Sequence, residues 1–256
     1  MAIPRFLEHP LTRGADLDSP ETTNLRRKII ESKPFLRRVY EDWYRGIVRR
    51  IPDGNQPILE LGSGGGFFGE FFPTALTSEI FPVEGVDRVV DARSLPFEDE
   101  SLRAIVMTNV FHHIPDVAAF LSEAQRTLRP GGRIIMVEPW NTAWSRFVHG
   151  RFHDEPMLPD AQEWAFPDSG PLSGANAALA WIVVERDRNR FESEWHLLKV
   201  SESEPLMPIR YVVSGGVSLR SLQPGWMYPF WRATDEIGCL RRKCSVFAMI
   251  VIERTN

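Results

Sequence analysis

Ile58-Leu59-Glu60-Leu61-Gly62-Ser63-Gly64-Gly65-Gly66-Phe67-Phe68-Gly69 is the stretch whose reading decides the fold. A short apolar run breaks into glycines, and Phe67, Phe68, Phe71 and Phe72 follow at helical spacing. The order is strand, glycine loop, helix. Glycines let the backbone turn sharply and let a ligand approach it closely. A helix starting behind the loop would add free N–H groups and the positive end of its dipole. A glycine-rich turn that binds nothing is the competing reading, and the strand–loop–helix context argues against it.

The pattern repeats outward from this point. Ala75 to Phe81 reads as a second strand, Val86 to Val90 as a short third and Arg103 to Thr108 as a fourth. Asp116 to Leu128 reads as a helix with Asp116 as its N-cap. Arg133 to Val137 makes a fifth strand after the Pro130-Gly131-Gly132 turn. Strands alternating with helices predict an α/β, Rossmann-like, doubly wound and mostly parallel sheet, with an antiparallel last strand at Val246 to Ile252. Before it, residues 1–20 read as an extended arm. Residues 21–51 read as two helices, with Pro52-Asp53-Gly54-Asn55 as their stop. After Trp140 the pattern loosens, leaving a helix around 177–194 and a strand around 196–204. Nothing in the chain reads as a linker, so residues 1–256 are expected to form a single domain. Its parts are an arm and helical cap (1–56), a ligand-binding core (57–140), an insertion (141–245) and a last core strand (246–256).

Charge separates the ligands that such a loop can hold. Gly64, Gly66 and Gly69 fit the dinucleotide fingerprint G-x-G-x-x-G. Glu60, however, stands at the strand end, where a pyrophosphate would meet a carboxylate. S-adenosylmethionine carries an ammonium and a sulfonium, so an acid there suits it. The acid-led register therefore favours S-adenosylmethionine over a nicotinamide dinucleotide.

Four segments then recur in a familiar order: ILELGSGGG (58–66), DARSLPF (91–97), HHIPD (112–116) and LRPGG (128–132). With them the chain resembles the class I S-adenosylmethionine-dependent methyltransferases, and most of all the methyltransferase type 11 branch that includes the quinone-biosynthesis enzymes. The resemblance covers residues 58–140. It implies that Glu60, Gly62, Ser63, Gly64 and Gly66 line the methionine part of the cofactor. It implies that Asp91 accepts from the adenine amino group with Ala92 beside the ring, and that Asn109 sits where cofactor and substrate pockets meet. The acid that holds the ribose is either Glu79, near the ~20-residue offset expected after Glu60, or Asp87, whose local wording is closer to the family's. Glu79 is favoured, because Asp87 leaves too little chain before Asp91 for a strand. A parallel crossover takes a dozen or more residues, more than lie between Glu79 and Val90, so the family's helix there is expected to be missing.

Methyl transfer needs a general base only when the acceptor must lose a proton. His112 is the candidate base, with His113 beside the substrate; the competing reading has the pair shaping the loop. Trp140 and Trp144 are candidate walls of the acceptor pocket, against plain core packing. His149 and His153 have metal-ligand spacing, but Gly150 and Pro156 argue against a helix, so no metal is expected. Asn109-Val110-Phe111-His112 lacks the two prolines of methyltransferases that act on base amino groups.

Composition narrows the field further. The net charge of −4 offers no basic footprint for nucleic acid. Cys239 and Cys244 are too few for a disulfide scaffold. No apolar run is long enough to span a membrane, and no secretory h-region follows Met1. The expectation is a cytoplasmic enzyme that transfers a methyl group by in-line displacement to a small-molecule or lipid-like acceptor. Two other classes are weighed against it. One is a nicotinamide-dependent oxidoreductase or epimerase, disfavoured because none of the four Tyr has a Lys four residues on. The other is a binding module without turnover, disfavoured by the intact loop. Five of the eight Trp (164, 181, 195, 226 and 231) fall after residue 150, in the later part of 141–245. Either they pack that insertion onto the sheet, or some of them form an apolar acceptor pocket lidded by the helices at 21–51.

Overall fold

The computed structural model describes residues 8–12, 18–153, 155–167, 170 and 174–256. Most of the arm expected over 1–20 lies outside the described residues. Two helices open the fold, α1 (Pro20–Ser32) and α2 (Pro34–Val48). Ser19 caps α1 by accepting from Thr22 N–H, and each helix carries proline in its first turn, where the missing N–H costs nothing. Then come β1 (Ile58–Leu61), β2 (Leu76–Glu79), β3 (Arg88–Val89), β4 (Leu102–Thr108), α3 (Val117–Thr127), β5 (Leu128–Pro139) and α4 (Ala143–Phe152). A single turn α5 (Leu179–Trp181) runs through a π turn at Ile182–Arg186 into α6 (Arg188–Glu194). The chain closes with β6 (Leu198–Leu206), α7 (Arg210–Ser214), α8 (Tyr228–Asp235), α9 (Gly238–Cys244) and β7 (Phe247–Arg254).

The sheet order is β3-β2-β1-β4-β5-β7-β6. Strands β1 to β5 are parallel, and β7 runs antiparallel to both β5 and β6. This is the expected Rossmann-like sheet, with one addition. The strand expected near 196–204 is the sheet's edge, so part of the presumed insertion belongs to the sheet itself.

Period-two alternation sorts the strands onto two faces. Leu59, Leu61, Ile105, Met107, Ile134, Met136, Ile250 and Ile252 face α3 and the α5–α6 segment. Ile58, Val106, Ile135, Val137, Met249 and Val251 face α2 and the segment that carries α7 and α8. Both faces are covered, which is why the parallel strands read as continuous apolar runs.

One expected helix is absent. Behind the glycine loop there is only one 3₁₀ turn, Phe68–Glu70. Phe68 is buried against Tyr44 of α2, with ring centroids 5.5 Å apart. The N-terminal pair thus takes the place that a helix after β1 would fill, and Pro73 ends the segment early. The β2–β3 connection also has no helix, as its length predicts, and β3 is two residues long.

Elsewhere the departures are smaller. Gly150 does not break α4, which carries His149 inward. Trp164 and Trp195 stack at 5.8 Å in the core beneath α3 and α6, whereas Trp226 is exposed. Trp164, Trp181, Trp195 and Trp231 therefore pack the segment down, while Trp226 does not.

A buried ion network fastens the N-terminal helices to the C-terminal ones. Arg210 Nε donates to Asp235 at 2.6 Å and Arg210 Nη1 to Asp42 of α2 at 2.7 Å, while Tyr228 Oη donates to Asp42 at 2.7 Å. Removing one partner of a buried pair strands the other charge, at a cost of about 3 kcal/mol or more. Asp235→Ala is therefore expected to lower unfolding stability by roughly 3 kcal/mol in urea melts. A loss under about 1 kcal/mol would show that Asp42 alone satisfies Arg210.

Candidate active site

The strand order reverses between β1 and β4, and ligands of such sheets sit at the carboxyl ends of the strands beside that point. A cavity of about 400 Å³ lies there. It is lined by the ends of β1 (Glu60–Gly66), β2 (Glu79–Phe81), β3 (Val90–Arg93), β4 (Thr108–Val110 and His112–Pro115) and β5 (Pro139). Helices α1 and α2 close it with Thr23, Arg26, Ile30, Tyr40 and Tyr44.

The loop needs its glycines for two separate reasons. Gly62 has φ +65°, and a Cβ there would stand 2.4 Å from Val110 Cγ2. A Cβ on Gly66 would stand 2.5 Å from Tyr44 Oη, and one on Gly65 would stand 2.9 Å from Arg26 Cβ. The loop is pressed between β4 and the N-terminal helices, and Arg27 Nη2 donates to Gly64 O at 3.1 Å.

Two carboxylates face this cradle. Glu60 is buried and accepts from Ser63 Oγ at 2.7 Å. Burial raises its pKa to about 7, and nearby Glu79 adds to the rise. Burial raises Glu79 as well. Asp87, by contrast, lies away from the cavity lining and is committed to Thr77, whose N and Oγ1 donate to it at 2.9 and 2.7 Å. Asp91 lines the cavity at the end of β3 and accepts from the Arg93 guanidinium, which lowers its pKa. Asn109 holds φ +58° at the end of β4 and hydrogen-bonds Tyr40. Thr23 Oγ1 is buried with no hydrogen-bond partner among the described residues, and Thr23 also lines the cavity. A cradle a Cβ would fill, an unpartnered hydroxyl and two desolvated acids suit a ligand that carries both a cation and hydroxyl groups.

The other end of the cavity is built of imidazoles. His112 Nδ1 lies 2.6 Å from Glu138 Oε2, and its Nε2 lies 3.2 Å from Glu155 Oε2. Burial alone would lower its pKa, but Glu138 and Glu155 outweigh burial and raise it to about 10. Glu138 is fully buried at the end of β5, and its other oxygen accepts from Val110 and Phe111 N–H. Glu155 is held well below the carboxylate range: burial opposes this, and hydrogen bonds from His112 and His113 overcome it. His149 is the neutral imidazole, lowered to about 4 chiefly by burial, with its Nδ1 3.0 Å from Ser145 O.

Residues 59–136 match the family model described as a methyltransferase domain. Among curated relatives, the ubiquinone/menaquinone biosynthesis C-methyltransferase of Desulfotalea psychrophila is 28% identical over 115 residues, 38% of this chain and 47% of that protein. The 2-methyl-6-phytyl-1,4-hydroquinone methyltransferase of Synechocystis is 32% identical over 87 residues, 34% of this chain and 27% of that one. Over residues 59–136 the chain is similar to class I S-adenosylmethionine-dependent methyltransferases. It spans less than half the length of these curated relatives. Geranyl diphosphate C-methyltransferase from Streptomyces coelicolor, solved with Mg²⁺, geranyl diphosphate and S-adenosylhomocysteine, shares the fold at TM-score 0.51 and 16% identity. That alignment covers 97% of this chain and 92% of that one.

Of the residues singled out in the sequence for this family's cofactor, the structure brings Glu60, Gly62, Ser63, Gly64, Gly66, Glu79, Asp91, Ala92 and Asn109 to one cavity. Between the two candidate ribose acids, only Glu79 lines it. His113 lines it too, but His112 is corrected as the base. Its ring nitrogens face Glu138 and Glu155, so neither is turned to take a proton from an acceptor. Trp140 and Trp144 are corrected as pocket walls. Trp140 is buried in the core on the α3 side, and Trp144 Nε1 donates to Pro208 O at 2.9 Å. The aromatic wall is Tyr40, Tyr44, Tyr211 and Phe247, none of them singled out in the sequence. Glu138 reaches His112 from the end of β5 and Glu155 from the segment after α4, contacts that no local feature of the chain announces.

The raised Glu60 has a consequence for stability. Its folded value, about 7, exceeds the ordinary 4.5. The stability it contributes is complete below pH ~4.5 and is lost as pH rises through about 7. The ligand-free protein is therefore expected to melt lower at pH 8 than at pH 5.5. Glu60→Gln is expected to remove most of that difference, raising Tm at pH 8 by several degrees, at about 2–4 °C per kcal/mol. Parallel pH profiles for the two proteins would contradict the burial argument.

Proposed function

We propose that this chain acts in the cytoplasm as one methyltransferase domain and moves a methyl group from S-adenosylmethionine to a small-molecule or lipid-like acceptor by in-line displacement. The observation that carries this reading is a single cavity with two unlike ends. Glu60, the glycine loop, Glu79 and Asp91 form one end, and aromatic and imidazole side chains form the other.

When bound, S-adenosylmethionine supplies a methyl group already activated on a sulfonium. The chain's own residues bind, align and exclude water. Glu60 holds the ammonium directly or through water. Gly62, Ser63, Gly64 and Gly66 line the methionine part, and Thr23 and Arg26 close over it. Glu79 accepts from the ribose hydroxyls. Asp91 accepts from the adenine amino group, with Ala92 against the ring. Asn109 stands between the two ends and turns its amide toward Tyr40. The apolar part of the acceptor lies against Tyr40, Tyr211, Val217 and Phe247. The ubiquinone/menaquinone and phytyl-hydroquinone methyltransferases above support a quinone-type acceptor with an apolar tail, and such a wall fits that chemistry. A nicotinamide dinucleotide would have to set its pyrophosphate beside Glu60 and Glu79, which disfavours the oxidoreductase reading.

The test is a melting experiment with S-adenosylhomocysteine, S-adenosylmethionine, NADH and NADPH. A ligand at 100 times its Kd stabilises the folded state by about 2.7 kcal/mol. The first two are expected to raise Tm and the nicotinamides to leave it unchanged. Gly64→Val, which crowds Glu79 Oε2 at 3.1 Å, and Asp91→Ala should each shrink the shift. Stabilisation by a nicotinamide alone would overturn the proposal.

A further inference from the structure

The imidazole end of the cavity holds more carboxylates and histidines than methyl transfer requires. Among the described residues, His112, His113 and Glu155 are the one group of three potential metal ligands whose donor atoms all lie within 4.8 Å of one another. His112 Nε2 is 3.2 Å from Glu155 Oε2, and His113 Nε2 is 3.5 Å from Glu155 Oε1. Metal–nitrogen and metal–oxygen bonds of about 2.0–2.2 Å, arranged tetrahedrally, separate neighbouring ligand atoms by roughly 3.3–3.6 Å. Both spacings are close to the edges of such a polyhedron, and the remaining edge is within 4.8 Å.

The far side of each ring supplies the second observation. A metal-bound histidine almost always gives its other N–H to a carboxylate or a backbone carbonyl, which fixes the tautomer. His112 Nδ1 is 2.6 Å from Glu138 Oε2, and His113 Nδ1 is 3.0 Å from Gly174 O. Glu138 is itself anchored by Val110 and Phe111 N–H. Both imidazoles are therefore oriented with Nε2 toward Glu155. His153 Nδ1 stands 3.7 Å from the same carboxylate and stacks on His149.

We propose that His112 Nε2, His113 Nε2 and the Glu155 carboxylate form a site for one divalent first-row transition-metal ion in the acceptor end of the cavity. Two imidazoles and one carboxylate suit Zn²⁺, Co²⁺ or Fe²⁺ rather than Mg²⁺, which prefers all-oxygen ligands. All three ligands line the cavity, so the remaining coordination positions open into it. Their ligand class is a small molecule that presents oxygen. In that last respect the inference rests on the methyltransferase reading, because it makes the bound oxygen part of the acceptor. The ion itself does not depend on that reading.

The experiment is metal titration of the chelator-stripped, cofactor-free protein, followed by calorimetry and by the visible absorption of Co²⁺. One Co²⁺ or Zn²⁺ per chain is expected, with Mg²⁺ failing to compete. His113→Ala and Glu155→Gln should each weaken binding at least tenfold. Glu138→Gln should weaken it roughly 10–100-fold. His196→Ala, exposed and outside the cavity, should leave it unchanged. His112→Ala removes a buried ring and risks the fold, so His113→Ala and Glu155→Gln, checked by circular dichroism, carry the test. Absence of stoichiometric binding, or binding indifferent to Glu155→Gln and His113→Ala, would overturn the site. If S-adenosylhomocysteine still raises Tm in that case, only the metal proposal fails. If the metal binds and S-adenosylhomocysteine does not, the methyltransferase reading fails instead.

Discussion

The rest of the site depends on the burial of Glu60. A carboxylate taken out of water, with one serine hydroxyl for company, is unfavourable in the ligand-free protein. It is held there because β1 is buried on both faces and because α1 and α2 press the glycine loop down onto the strand end. The same pressure leaves no room for a Cβ at Gly65 or Gly66, and Val110 leaves none at Gly62. An acid in such a place gains most from a cation that arrives with it in the cavity, so the local cost to the fold is the counterpart of selective binding.

The N-terminal helices are therefore part of the site rather than an appendage. They occupy the sheet face that a helix after β1 would otherwise cover. They contribute Thr23, Arg26, Tyr40 and Tyr44 to the cavity, and they are tied to the C-terminal helices through Asp42, Arg210 and Tyr228. At the opposite end the chemistry changes character. Glu138 sets the orientation of His112, and Glu155 gathers His112 and His113 around one point. The cavity thus joins a region made for a polar, cationic ligand to a region lined with aromatic rings and fixed imidazoles. Among the described residues no helix is long and apolar enough to cross a membrane.

Local signals in the sequence were enough for the cofactor end. Strand ends, glycines and the offset of Glu79 from Glu60 are short-range features, and they converge because parallel strands place successive carboxyl ends side by side. Asp116 could be read as a cap because capping is local. The errors came where packing decides. Phe67, Phe68, Phe71 and Phe72 satisfy a helical period, yet they lie in a single turn because α2 already fills the space they would need. Trp140 and Trp144 follow a strand end but turn away from the cavity. Tyr40 lies more than a hundred residues from both Glu155 and Tyr211, yet all three line one cavity, and no period or motif links them.

The central claim is that Glu60 is protonated near neutrality in the empty protein and gives up its proton to take a cation. Calorimetric titration with S-adenosylhomocysteine near pH 6.5, repeated in buffers of different ionisation enthalpy, counts the protons exchanged on binding. The account predicts net proton release by the natural protein and its loss in Glu60→Gln. Binding with no proton exchange, or with the same exchange in both proteins, would contradict it.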